Sequence, residues 1–259
     1  MFDKSKNKKR SPLKKESLRQ AGQSLSEKFD DIFSMEIFFP LVAILFLLFS
    51  VIATWVMDYF KIENNPLAHT IGSLLIIIYF VAKIIKGANK IKNIKLGRDG
   101  EIQVAEVLEE LKIFGYKVFN DILEKEFNID HVVIGPAGVF TIETKTYRKQ
   151  NGADYQIHYD GTNLKIDGFS SIKKDPIKQA IGQMYWLKGF IENSAKINIT
   201  VNPVIVFPGW FIDSKNNNSD IVVTNEKLLV LKIKNAQTVL NQDQINLISS
   251  HLEIYIRNN

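Results

Sequence analysis

From Ile37 to Met57 the chain carries no charged residue and consists mainly of Leu, Ile, Phe, Val and Ala. A helix needs about 20 such residues to cross the hydrocarbon core of a bilayer. A surface helix of a soluble protein shows an apolar stripe with a polar face opposite, and this run has no polar face. It is too long, and too far from Met1, for a signal peptide. Pro40 near its start is tolerated in a membrane helix, and Trp55 and Tyr59 sit where an interfacial aromatic belt would fall. A second uncharged run, Asn64 to Ala82, centres on Leu74 to Phe80. It spans a bilayer if its ends adjust. His69, near its start, reads as an interfacial residue. Two transmembrane helices, at about 37–57 and 64–82, are therefore expected within a segment 36–95 that ends in a basic juxtamembrane stretch.

Charge orients the pair. The short connection holds Asp58, Lys61 and Glu63, whereas Lys and Arg crowd the outer flanks: Lys8, Lys9, Arg10, Lys14 and Lys15 before, then Lys83, Lys86, Lys90, Lys92 and Lys95 after. The positive-inside rule puts both flanks on the cytoplasmic side. The expectation is a multi-pass protein of the cell membrane, with its N-terminus and its C-terminal domain in the cytoplasm. Residues 1–35 are basic and polar, and are expected to form a disordered tail. A solvated tail and a contact with anionic lipid or nucleic acid both suit that composition. The absence of cysteine excludes disulfides, thiol catalysis and Cys-ligated zinc. A net charge of +5 allows a nucleic-acid partner without requiring one.

Residues 96–259 read as a soluble α/β domain. Ile102, Ala105, Leu108 and Leu111 recur at helical spacing, in a helix opening near Gly97–Glu101 and ending at Gly115. Tyr116 to Phe119 reads as a strand. Two β-rich runs around Gly135-Pro136-Ala137-Gly138 predict a hairpin. Tyr155–Tyr159 and Leu164–Ile166, joined by Asp160-Gly161, predict a second hairpin. Pro176 opens a helix to about Glu192. Ile199 to Phe207 reads as a strand whose Pro203 implies an edge position or a bulge. Ile221–Val223 and Leu228–Leu231 are short strand candidates, and Asn241–Ile256 is a closing amphipathic helix.

Symmetry about Pro136-Ala137 sets Asp130 directly opposite Glu143, with Cβ atoms about 4.5–5.5 Å apart. Lys145, two residues on, points to the same face. Two carboxylates and an amine thus converge at the open end of the hairpin. Carboxylates that close repel unless a cation intervenes, and hard divalent ions take such oxygen ligands.

These residues resemble the PD-(D/E)XK nuclease core, with Ile129-Asp130 in place of Pro-Asp and Glu143-Thr144-Lys145 as the Glu-x-Lys. In order come Gly97-Arg98-Asp99-Gly100-Glu101, Val118-Phe119-Asn120-Asp121, Ile129-Asp130-His131-Val132-Val133-Ile134-Gly135-Pro136, Gly138-Val139-Phe140-Thr141-Ile142-Glu143-Thr144-Lys145, and Asp175-Pro176-Ile177-Lys178-Gln179. That set, over roughly Leu96 to Trp210, resembles the NERD or nuclease-related domain. The resemblance implies a restriction-endonuclease-like mixed sheet flanked by helices. It also implies a Mg²⁺- or Mn²⁺-dependent nuclease acting on DNA or RNA. Asp130, Glu143 and Glu101 would hold metal, the Thr144 carbonyl adding a ligand. Lys145 would orient water or neutralise charge, and Gln179 would touch the metal-bound water or a phosphate. The alternative is a catalytically inactive nuclease-fold module that binds nucleic acid or protein at the membrane.

Taken alone, each residue has a plainer reading. Asp130 and Glu143 suit a surface cross-strand pair relieved by Lys145. Glu101 suits a helix-dipole partner, and Gln179 a surface amide. His131, His158 and His251 lack metal-like spacing, and His131 points away from Asp130 as a structural histidine. Tyr147-Arg148-Lys149 suits either a phosphate contact or a solvated strand end.

Overall fold

A computed structural model describes residues 17–149, 152, 154–170, 172, 175–214 and 220–258. Residues 1–16 of the basic tail lie outside them. The chain forms two compact units, Gly22–Ile102 and Met1–Ala21 with Gln103–Asn259.

The first unit is helical. Helix α1 (Gln23–Ile32) passes through a π-helical stretch (Phe33–Phe38) into α2 (Phe39–Tyr59), and α3 runs over Pro66–Glu109. Pro40 is the one buried residue of α2, and Phe46 and Phe49 are 70% and 69% exposed. Both helices are long and apolar enough to cross a membrane. Polar bonds join them: Ser50 Oγ lies 3.1 Å from His69 Nε2, and Trp55 Nε1 donates to Thr70 Oγ1 at 3.0 Å.

Two expectations fail here. The tail was expected to be disordered to residue 35, yet the chain is helical from Gln23. Leu25, Phe29 and Phe33 fall at helical spacing, and the rings of Phe29 and Phe33 stack at 6.2 Å. Nor does a new helix open at Gly97–Glu101, because α3 runs through both glycines without a break. A helical Gly costs only about 1 kcal/mol, and Gly97 has a packing reason, since a Cβ there would come within 3.2 Å of Leu25.

The second unit is built on a five-stranded mixed sheet in the order β1-β2-β3-β6-β8. Strands β1 (Lys117–Leu123), β2 (Asn128–Gly135) and β3 (Gly138–Thr144) form an antiparallel meander. After β3 come β4 (Gln156–Tyr159), β5 (Leu164–Ile166) and α4 (Pro176–Ser194). The chain continues through β6 (Val201–Val206), β7 (Phe211–Ser214), β8 (Val222–Thr224), α5 (Glu226–Lys234) and α6 (Gln242–Asn258). Strand β6 lies parallel to both β3 and β8. One sheet face packs Val132, Ile134 and Val139 against Leu187 and Ile191 of α4 and Ile248 and Leu252 of α6. The other packs Val133, Phe140 and Ile142 against Val104 and Leu108 of α3 and Leu229 of α5. A three-stranded sheet, β5-β4-β7, shares a third cluster with Phe207 and Trp210.

Strand β6 lies between two neighbours, not at the edge that Pro203 suggested. Strand β8 pairs only with Val204–Val206, so on that flank Pro203 has no ladder bond to lose. Residues 228–231 are helical rather than a strand. Asn225 caps α5 by accepting the Leu228 N–H at 3.1 Å, and Leu229 and Ile233 are buried four apart. Helix α6 starts with a reciprocal cap in which the Gln244 N–H donates to Asn241 Oδ1 and the Asn241 N–H to Gln244 Oε1.

Candidate nuclease-like site

The β2–β3 turn sets the register. Gly135 has no room for a side chain, since a Cβ there would lie 2.0 Å from the Tyr116 ring. Gly138 holds φ at +113°, a value L side chains rarely adopt. Pairing then runs from Gly135↔Gly138 to His131↔Ile142, and one further step reaches Asp130 and Glu143. Asp130 Oδ2 accepts the Thr144 N–H at 2.7 Å. Beyond β3 the Lys145 N–H donates to the Val206 carbonyl at 2.8 Å, so β6 still guides the backbone that carries the lysine.

Helix α4 brings the remaining partners. Asp175 caps it by accepting the Ile177 N–H at 3.0 Å, and Pro176 fills the first turn. Lys145 Nζ donates to Gln179 Oε1 at 2.9 Å and to Glu143 Oε1. Glu143 is 2% exposed. Burial pulls the Lys145 ammonium down. The charge and hydrogen bond of Glu143, joined by the charge of Asp130, outweigh that pull and hold it above the ordinary lysine value.

Four expected residues, Asp130, Glu143, Lys145 and Gln179, thus meet in the second unit. Glu101 is buried on α3 and falls in the first unit. Among the described residues no group of three or more His, Cys, Asp or Glu is arranged to hold a metal ion. The donors still fit one in kind. Mg²⁺ commonly takes one or two carboxylates and keeps several waters, and two carboxylates are here. Buried oxygens without a hydrogen-bond partner, Gln183 Oε1 and Thr144 Oγ1, belong to residues that touch or adjoin them.

Gln183 is the residue the sequence reading missed. Its side-chain nitrogen donates to the Asn128 carbonyl at 2.9 Å and to Glu143 Oε2. The signal was there: the buried face of α4 reads Pro176, Ala180, Gln183, Leu187, Ile191, and an amide amid those apolar positions requires partners. Asp121, which closes the Val118–Asp121 motif, is buried beside the site strands. It sits opposite Asp130 between the pairs Asn120↔His131 and Ile122↔Ile129, at φ +51° and 1% exposed. Arg19 Nε bonds its carboxylate at 2.8 Å.

The histidines stay outside the site. His131 is fully buried, with Nδ1 2.9 Å from Asn120 Oδ1 and Nε2 unbonded, and burial pushes its pKa down to about 3. His158 lies between Asp213 and Asp167, at 3.0 and 3.2 Å. Its pKa is raised, chiefly by the hydrogen bond to Asp213. Tyr147 packs against Phe169 and Phe207, and Lys149 Nζ lies 4.8 Å from the centre of the Tyr155 ring.

No curated protein and no solved structure matches the chain. A family model does: residues 96–208 match NERD, the nuclease-related domain. That span contains every residue of the cluster and agrees with the ordered motifs: behind two long apolar helices, residues 96–208 are similar to the nuclease-related domain.

Proposed function

We propose that the protein is a membrane-anchored, divalent-metal-dependent nuclease that hydrolyses phosphodiester bonds in DNA or RNA. The observation that carries this reading is the meeting of Asp130, Glu143, Lys145 and Gln179 at the open end of one hairpin, inside a NERD match. Asp130 and Glu143 are the residues that would hold Mg²⁺ or Mn²⁺. A divalent ion bound there would supply water activation and stabilisation of charge on the phosphoryl oxygens. Lys145 brings a cation to the same place, where it offsets negative charge developing on phosphate. Gln179 aims that ammonium by accepting a hydrogen bond from it.

The anchor rests on α2 and the N-terminal part of α3, where apolar residues such as Phe46, Phe49, Leu67, Leu75 and Ile78 are exposed rather than packed in a core. Ser17–Ala21 and Gln103 onward belong to one compact unit. A chain that leaves that unit and returns to it crosses a bilayer an even number of times. With the lysines flanking α2 and α3, this favours a cell-membrane protein with both termini in the cytoplasm.

A second reading has its own observation. Lys145 and Gln183 already satisfy both oxygens of Glu143 without any metal. On that reading the domain binds nucleic acid or protein at the membrane and does not turn over. Calorimetry of the full chain in detergent with Mn²⁺ separates the two. Micromolar, saturable binding that is lost in Asp130→Asn supports the nuclease, and no binding favours the second reading.

A further inference from the structure

Glu143 is gripped from both sides. Lys145 holds Oε1, and the Gln183 amide holds Oε2. The same amide nitrogen also holds the Asn128 carbonyl at 2.9 Å. Asn128 opens β2, two residues before Asp130. One side chain on α4 therefore ties the strand that carries Asp130 to the carboxylate carried by β3. Gln183 is 1% exposed and sits one helical turn beyond Gln179 on α4. Both of its strong donor contacts are spent, while its carbonyl oxygen is buried and has no donor. Buried amide oxygens are rarely left bare, and one that is calls for a water or ligand that donates to it.

We infer that Gln183 is the positioning residue of this site: it fixes the rotation of Glu143 and its offset from Asp130, and its own buried Oε1 is left to accept a hydrogen bond from a water beside Glu143. The inference rests on the metal-nuclease reading but assigns a residue that reading does not need. Gln183 holds the Glu143 carboxylate and the Asn128 carbonyl, so its effect passes through Glu143. Asn at this position is shorter by one methylene and cannot span from Glu143 to Asn128. A Met of similar volume fills the space but leaves Glu143 Oε2 buried without a donor, which disfavours the charged carboxylate that a cation needs.

The test uses the full chain in detergent, with Mn²⁺ as probe and labelled single-stranded oligonucleotide as substrate. Gln183→Met is expected to weaken Mn²⁺ at least about tenfold and to lower kcat by a similar factor, with KM for the oligonucleotide changed less than about threefold. If Gln183→Met fails to fold, Gln183→Asn takes its place, with the same direction expected. In the metal-free parent, the Gln183 side-chain amide protons should exchange with solvent at least about tenfold more slowly than those of exposed Gln242, and Glu143→Ala should reduce the difference, since only the bond to the Asn128 carbonyl remains. Parent-like Mn²⁺ affinity and kcat in a folded variant, or no slowing of exchange, overturns the role of Gln183 alone. A parent that neither binds Mn²⁺ nor cleaves overturns the metal-nuclease reading, and the positioning role with it.

Discussion

Replacing Arg19 by Ala should destabilise the C-terminal unit, although Arg19 lies in the segment before the first apolar helix. The Arg19–Asp121 pair measures 2.8 Å, with side chains 18% and 2% exposed. Removing one partner of a buried pair costs about 3–5 kcal/mol. Arg19 keeps some contact with water, so the lower end applies, about 3 kcal/mol. At roughly 2–4 °C per kcal/mol for a domain of this size, the melting temperature should fall by about 6–12 °C. Asp121→Asn removes the charge yet keeps a residue type that tolerates its left-handed backbone. On that background Arg19→Ala should cost no more than about 1 kcal/mol, the scale of an ordinary hydrogen bond. Thermal melts of the full chain in detergent, arranged as a double-mutant cycle, give both numbers. A shift under about 2 °C for Arg19→Ala, or equal costs on the two backgrounds, would refute the reasoning.

Other outcomes follow from the same geometry. Asp130→Asn and Glu143→Gln should each abolish Mn²⁺ binding in calorimetry, and Glu143→Gln should also lower the melting temperature, because Lys145 loses its buried carboxylate partner; parent-like affinity in both would remove the site. Gly135→Ala should cost at least about 2 kcal/mol in a denaturant titration, since its Cβ would enter the Tyr116 ring. His158 has a raised folded pKa, so its contribution is complete below about 6.5, the usual unfolded value, and is lost as pH rises through the folded value. The melting deficit of His158→Gln should therefore be largest near pH ~5.5 and fade by pH ~9. A deficit that grows with pH contradicts the Asp213–His158–Asp167 geometry.

Much of the fold could be read from local rules. The turn at Pro136-Ala137 fixed which residues faced one another, because a two-residue connection leaves no freedom in counting back along both strands. The Asp175-Pro176 start of α4 and the Asn241 start of α6 were marked by capping chemistry. What escaped the reading depended on partners distant in sequence. Leu228–Leu231 is too short an apolar run to separate strand from helix, and the cap at Asn225 decided it. Pro203 implied an edge position or a bulge until the short reach of β8 was known. Gln179 was found by resemblance, whereas Gln183 needed the buried face of α4 to be seen, because a Gln among helix formers carries no local mark of burial.

The central claim is that Lys145 and its two carboxylate neighbours cut phosphodiesters. Its most direct test is cleavage of labelled single- and double-stranded DNA and RNA by the full chain in detergent with Mn²⁺, parent beside Lys145→Ala. The parent should cleave at least one substrate, EDTA should stop it, and Lys145→Ala should be slower by at least about 10²-fold, the scale of losing one positioned electrostatic group. Equal rates for parent and Lys145→Ala, or no cleavage of any substrate by the parent, would contradict the claim.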